Sequence, residues 1–211
     1  RPECELGMLV LQVDNRGTPG RGKAFESATY LKLGIVDLDD QVAAVRAITE
    51  RPYVDAARVG ITGASYGGYL SALAMLRYPE VFRAAVAISA VTDWRNYDTI
   101  YTERYMRLPE ENPEGYDAGS CVKLADRLRG ALLLMHGMED DNVHPANAWQ
   151  FVQELHRLDR PFEMMFFPTA GHGVHGRAAQ SAKWCFLWRE LVGEAAAVPV
   201  GASAGTDHAP F

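Results

Sequence analysis

The sequence predicts an α/β fold, a mostly parallel sheet with helices on both faces. Three observations predict it. Short apolar runs alternate along the chain with segments whose apolar residues recur at helical spacing. Residues 84–89 and 131–136 are apolar almost throughout, as strands covered on both faces are. Turn chemistry follows the carboxyl end of the runs, where such sheets build their sites. With 211 residues and 48% of them hydrophobic, one such domain has ample material for a core.

The elements read in order. Residues 8–13 (MLVLQV) are a short apolar run and a predicted buried strand, closed by Asp14-Asn15-Arg16-Gly17 and a loop to about Gly34. Leu38, Val42, Val45 and Ile48 recur at helical spacing, so residues 37–50 are a helix with an acidic start, stopped by Arg51-Pro52. Residues 59–62 are a strand, and 69–77 are a helix that is apolar nearly all round and therefore buried. Residues 84–89 are the next strand. From 91 to 118 the pattern is irregular and strongly aromatic. Residues 131–136 are a strand, Ala148 to Leu158 mark a helix, 162–167 are a strand, and Trp184 to Leu191 mark a final amphipathic helix. After Gly193 the chain turns to Ala, Gly, Ser and Pro, so 1–193 read as one domain and 194–211 as a disordered tail.

Composition excludes several classes. The net charge of −6 argues against a nucleic-acid partner or an anionic membrane surface. No apolar run approaches the ~20 residues that span a bilayer. Cys4, Cys121 and Cys185 are an odd number without a C-x-x-C, so they read as buried free thiols and favour a reducing cytoplasm.

The chemistry centres on Gly63-Ala64-Ser65-Tyr66-Gly67-Gly68, which lies between a strand and a helix. It reads as the G-x-S-x-G nucleophile elbow of α/β-hydrolases. Small neighbours let the backbone turn sharply, which holds the Ser65 hydroxyl out and aims the Tyr66 N–H at a reacting carbonyl. A serine nucleophile needs a base and a group that orients the base. In this fold they follow in the order Ser, acid, His, and two strand-end loops fit. One carries Glu139, Asp140 and Asp141; the other carries His172 between two glycines. Asp140 is the leading acid, but local sequence does not separate it from Asp141. His172 is the leading base, with His175 as competitor. His136 reads as a strand-end residue bonded locally, His156 as surface, and His208 lies in the tail. The histidines have no ligand spacing, so neither a metal nor a cofactor is expected.

Four stretches carry a resemblance to a known family. They are Asp14 to Gly17, Gly63 to Tyr69, the run Tyr97-Asp98-Thr99-Ile100-Tyr101-Thr102-Glu103-Arg104-Tyr105-Met106, and His136 to His144 together with Gly171-His172-Gly173. On these the chain, over roughly residues 5–192, resembles the catalytic α/β-hydrolase domain of the prolyl oligopeptidase family of serine peptidases, closest to its dipeptidyl peptidase IV branch. The resemblance implies Ser65, Asp140 and His172 as the triad. It also implies a pocket for the residue before the scissile bond (S1), taking proline or a small residue. Tyr66, Val91, Trp94, Tyr97, Tyr101 and Val143 would line it, with Asn142 as a polar contact. A pyrrolidine has a flat apolar face and no donor, which suits aromatic walls. The competing reading is that Trp94, Tyr97, Tyr101 and Tyr105, at helical spacing, are plain core.

The sequence departs from the family in two ways. Ala64 stands where the branch usually has tryptophan. The upstream β-propeller, the first sheet strands and a loop with a tyrosine that completes the oxyanion hole have no counterpart here. The sheet is therefore expected to lack its first strands, one of which would lie between 8–13 and the nucleophile strand. An upstream segment or a second copy of the chain would complete it. Dipeptide release does not transfer, because the propeller supplies the grip on a free amino terminus. The function expected is peptide hydrolysis after proline or a small residue. A carboxylesterase with the same triad and an incomplete non-catalytic domain are the alternatives.

Overall fold

The structure is a computed structural model, and it describes residues 6–193. Four strands, β1 (Gly60–Ala64), β2 (Ala84–Ile88), β3 (Ala131–Gly137) and β4 (Glu163–Phe167), form one sheet in the order β1-β2-β3-β4. All three pairings are parallel. The helices are α1 (Lys23–Glu26), α2 (Val36–Thr49), α3 (Tyr66–Arg77), α4 (Thr99–Met106), α5 (Pro113–Ala118), α6 (Ala146–Arg157) and α7 (Arg177–Leu191). The loop expected up to Gly34 thus contains α1, and a 3₁₀ turn, Ser27–Thr29, follows it directly.

The pleat explains the two layers. Alternate residues of a strand face opposite ways. Ala85, Ala87, Leu132 and Leu134 point into one core with Leu38 of α2, Leu73 of α3 and Phe151 of α6. Ala84, Val86, Leu133 and Met135 point into the other core, against Phe186, Leu187 and Leu191 of α7. Helices therefore cover both faces, and β2 and β3 need to be apolar throughout.

The irregular aromatic stretch is ordered by caps. Trp94–Asn96 is a 3₁₀ turn opened by Asp93, whose side chain accepts the Arg95 N–H. Asp98 accepts the Tyr101 N–H and starts α4, and Asn112 accepts the Gly115 N–H with Pro113 at the first turn of α5.

One predicted strand is absent. Residues 8–13 form no ladder, and Leu9, Val10 and Leu11 are exposed. Behind them, Gln41 of α2 donates to the Val13 carbonyl (3.1 Å) and to Asn15 Oδ1 (2.7 Å), and Arg16 pairs with Asp40. The segment is therefore anchored beside α2. A groove of about 630 Å³ lies between it and β1, lined by Val45, Ile48, Ile61, Leu70 and Leu187. A strand needs a ladder partner, and 8–13 has none across this gap. β1 is left as an edge strand with Thr62 and Ala64 exposed, whereas β2 is almost wholly buried. The predicted tail, 194–211, lies outside the described residues.

The seam between α3 and β2 is tight. A Cβ on Gly68 would run into the Ile88 carbonyl, whereas one on Gly67 would meet nothing within 4 Å. Gly68→Ala should therefore destabilise the domain by roughly 1–3 kcal/mol through overpacking, and Gly67→Ala should be neutral or mildly stabilising. Urea unfolding of the two variants checks this; equal effects would contradict the described seam.

Candidate active site

Three strand ends bring the site together. At the end of β1 the chain turns into α3 at Ser65, with φ 57° and ψ −120°, a conformation costly for any residue with a Cβ. Two main-chain bonds hold it there. The Ser65 N–H donates to the Ile88 carbonyl (2.9 Å), and the Ser65 carbonyl accepts the Tyr69 N–H (2.9 Å). Gly63 lies so close to Gly67 that a Cβ would fall 2.5 Å from its carbonyl carbon. The Tyr66 N–H opens α3 and has no intrahelical acceptor, so it is available to an anion.

The loops after β3 and β4 are stitched to one another. The Met138 N–H donates to the Phe167 carbonyl (2.9 Å) and the Glu139 N–H to the Ala170 carbonyl (3.0 Å). Asp140 and His172 thereby meet: His172 Nδ1 donates to Asp140 Oδ2 (3.0 Å) and lies 3.2 Å from Oδ1. Asp140 is 2% exposed and its Oδ1 also accepts the Asn142 (3.1 Å) and Val143 (2.9 Å) N–H groups. Asp141, Glu139 and His175 are exposed. Burial therefore distinguishes the two aspartates that local sequence did not. His172 and Ser65 are not hydrogen-bonded to each other.

The aromatic residues expected in the pocket also meet. Tyr101 stacks on Trp94 (5.8 Å, 17°), Tyr97 packs edge-on to both, and the Tyr66 ring lies 5.6 Å from Trp94. Val91, Trp94 and Val143 are buried, and Tyr97 and Tyr101 are half-buried. The Tyr97 hydroxyl donates to Asn142 Oδ1 (2.7 Å). Burial, with neighbouring Tyr105 and Tyr97, pushes the Tyr101 hydroxyl up to about 12, so it stays neutral. The helical spacing of these aromatics breaks at Tyr97, which caps the 3₁₀ turn in extended backbone. The cluster is continuous with the core at Trp94 and half-buried at Tyr97 and Tyr101.

Three residues matter here more than their sequence suggested. His136 is buried, and its Nε2 donates to the Val143 carbonyl (2.8 Å) and lies 3.4 Å from Asp140 Oδ2. Asp37, read as a helix-dipole residue, is 1% exposed and accepts the Tyr66 hydroxyl at 2.6 Å. A first-turn aspartate carries no sequence signal of that contact. Asn147 of α6, also buried, accepts the Thr92 N–H (3.2 Å), and its carbonyl accepts the Thr92 hydroxyl (2.7 Å), which holds the loop of Val91 and Trp94. Cys121 is buried and Cys185 only half-buried; Cys4 lies outside the described residues. His156 is exposed on α6. Among the described residues no group of three or more His, Cys, Asp or Glu could hold a metal ion, and no helix is long and apolar enough to cross a membrane.

Residues 3–191 match the prolyl oligopeptidase family. The chain belongs to that family. It is 41% identical over 175 residues to human dipeptidyl peptidase 8, covering 81% of this chain and 20% of that protein. It is 38% identical over 173 residues to human prolyl endopeptidase FAP, covering 81% of this chain and 23% of that one. The crystal structure of Porphyromonas gingivalis dipeptidyl peptidase 4 superposes with a TM-score of 0.81 at 42% identity, over 84% of this chain and 26% of that one. The fold is thus the α/β-hydrolase fold of these family members. The chain spans about a fifth to a quarter of the length of these relatives.

His136 yields a pH prediction. Burial lowers its pKa below the ordinary 6.5, opposed by the Val143 carbonyl and the Asp140 charge. The unfolded chain therefore binds this proton first as pH falls. The stability contribution is complete above about pH 6.5 and is lost progressively below it. His136→Gln keeps a donor for Val143 and removes the titration. Its melting temperature should fall less steeply with acid than the wild type's, and equal slopes in melts from pH 8 to 5 would refute the assignment.

Proposed function

We propose that this chain is the catalytic domain of a serine peptidase that cleaves after proline or a small residue through an acyl-enzyme. The observation that carries the reading is the pairing of His172 with a buried Asp140, on loops at the same sheet end as the Ser65 turn. In this reading His172 takes the Ser65 hydroxyl proton as Oγ attacks the scissile carbonyl, then returns it to the leaving amine. Asp140 holds the imidazole in the required tautomer and stabilises its charged form. The Tyr66 N–H donates to the developing oxyanion. Tyr66, Val91, Trp94, Tyr97, Tyr101 and Val143 form S1. Asn142 is oriented there by the Tyr97 hydroxyl, which occupies its carbonyl oxygen and leaves its NH₂ to donate to substrate.

Ser65→Ala should abolish fluorophosphonate labelling and lower turnover of a Gly-Pro anilide by on the order of 10⁶, without unfolding the domain. Asp140→Asn should cost on the order of 10⁴, because the base loses its orienting partner, and Asp141→Asn should cost little. Retained activity in Ser65→Ala sinks the nucleophile, and a worse defect in Asp141→Asn reassigns the acid.

The groove beside β1 supports a second element of the proposal. Its mixed lining, apolar at Val45, Ile48, Ile61, Leu70 and Leu187, and the edge of β1 suit a further strand, from an upstream segment or a partner chain, that completes the sheet. In the family that same segment supplies the second oxyanion donor, whose loss costs about 10²–10³ in rate. A chain extended upstream in its native sequence should therefore outpace the present one on the same anilide by about that factor. Equal rates from a monomeric short chain would refute the placement.

A further inference from the structure

Half-buried Asp39 of α2 takes the Tyr78 hydroxyl, but Asp37, which takes the hydroxyl of half-buried Tyr66, is itself buried. The neighbouring hydroxyls of Tyr69 and Tyr116 are held by main-chain carbonyls, of Leu33 (2.9 Å) and Arg107 (2.7 Å). Tyr66 is held by a carboxylate that is 1% exposed and whose second oxygen, Oδ1, has no hydrogen-bond partner in good geometry. A carbonyl would satisfy the hydroxyl at lower desolvation cost, so core stability alone does not account for an acid here.

Position supplies the missing reason. Asp37 lies in the first turn of α2, two residues past Ile35, where the chain leaves the left-handed Gly34. A Cβ at Gly34 would collide with the Tyr69 hydroxyl and Leu73, so this turn packs directly on α3. The Asp37 carboxylate thereby meets the far end of Tyr66. That one residue offers its N–H at the start of α3 and its ring to Trp94 and Tyr69 at 5.6 Å. Burial and the Asp37 charge keep the Tyr66 hydroxyl protonated and therefore a donor. Burial pushes the Asp37 carboxyl up while the Tyr66 hydroxyl and the N–H groups of Gly34, Asp37 and Leu38 pull it down.

We propose that Asp37 is a positioning residue for the S1 pocket: it fixes the Tyr66 ring through its hydroxyl, and so sets the width of the pocket and its preference for a small residue or proline. This inference rests on the serine-peptidase reading above. The Tyr66 main chain is held separately, by the start of α3. Removal of the tether therefore moves the ring far more than it moves the N–H, and the loss falls on substrates that fill S1.

The test compares wild type, Asp37→Ala, Asp37→Asn, Tyr66→Phe and Asp37→Ala/Tyr66→Phe. Two substrates are used: a Gly-Pro anilide, which fills S1, and p-nitrophenyl acetate, which does not. In Asp37→Ala, kcat/KM for the anilide should fall by about 10²-fold, the cost of roughly 1 Å of misplacement, while acetate turnover changes far less. The preference between Gly-Pro and Gly-Leu anilides should narrow. Asp37→Asn keeps an acceptor and should restore most of the preference. The double variant should be no worse than Asp37→Ala, because both changes break one contact. Equal losses on both substrates with a lowered melting temperature, or an unchanged preference in Asp37→Ala, would overturn the inference while leaving the peptidase reading intact. A wild type that takes no fluorophosphonate and turns over neither substrate would overturn both.

Discussion

The arrangement depends on one unfavourable backbone conformation. Ser65 holds a positive φ because β1, β2 and α3 fix it from three sides: Ile88 takes its N–H, Tyr69 donates to its carbonyl, and the missing Cβ of Gly63 lets Gly67 pack directly against it. A relaxed turn would swing the serine along the strand and tilt α3, taking the Tyr66 N–H and ring with it. The aromatic cluster would then lose its contact with Trp94, and Asp37 its hydroxyl. The strained residue is thus the point from which both the Ser65 hydroxyl and the Tyr66 ring take their positions.

Much of this was legible in the sequence because the signals were local. The glycines of the elbow, the unbroken apolar runs of β2 and β3 and the 3.6-residue period of α2 and α6 each report a constraint that neighbouring residues impose. What was not legible depends on partners distant in the chain. Residues 8–13 have the composition of a strand, but a strand exists only with a ladder partner, and no local pattern reveals that β1 lies a groove away. The two aspartates after β3 look alike in sequence. Only the N–H groups of Asn142 and Val143 and the approach of His172 separate them. Asp37 looks like any acidic residue in a first helical turn until α3 is packed upon it.

The polar groups around the pocket are economical in number and each acts on a neighbour. Asn147 ties the Trp94 loop to α6, His136 ties the Val143 carbonyl to β3, and Tyr97 ties Asn142 to the 3₁₀ turn. Three different elements are thereby locked to the one loop that carries Asp140 or to the aromatic wall facing it. Precision at such a site comes from these cross-links between elements, since loops alone would leave the side chains mobile.

The strand order has a consequence for how the molecule comes into being. Spatial order follows chain order, β1-β2-β3-β4, so each strand docks on the one made just before it and long loop closures are avoided. Ser65 follows the first of these strands, Asp140 the third, and His172 the fourth. A chain emerging from synthesis could form the serine turn long before the imidazole arrives. With the proposed triad, hydrolytic competence is the last property the fold acquires, because the imidazole of His172 arrives after the serine turn is made.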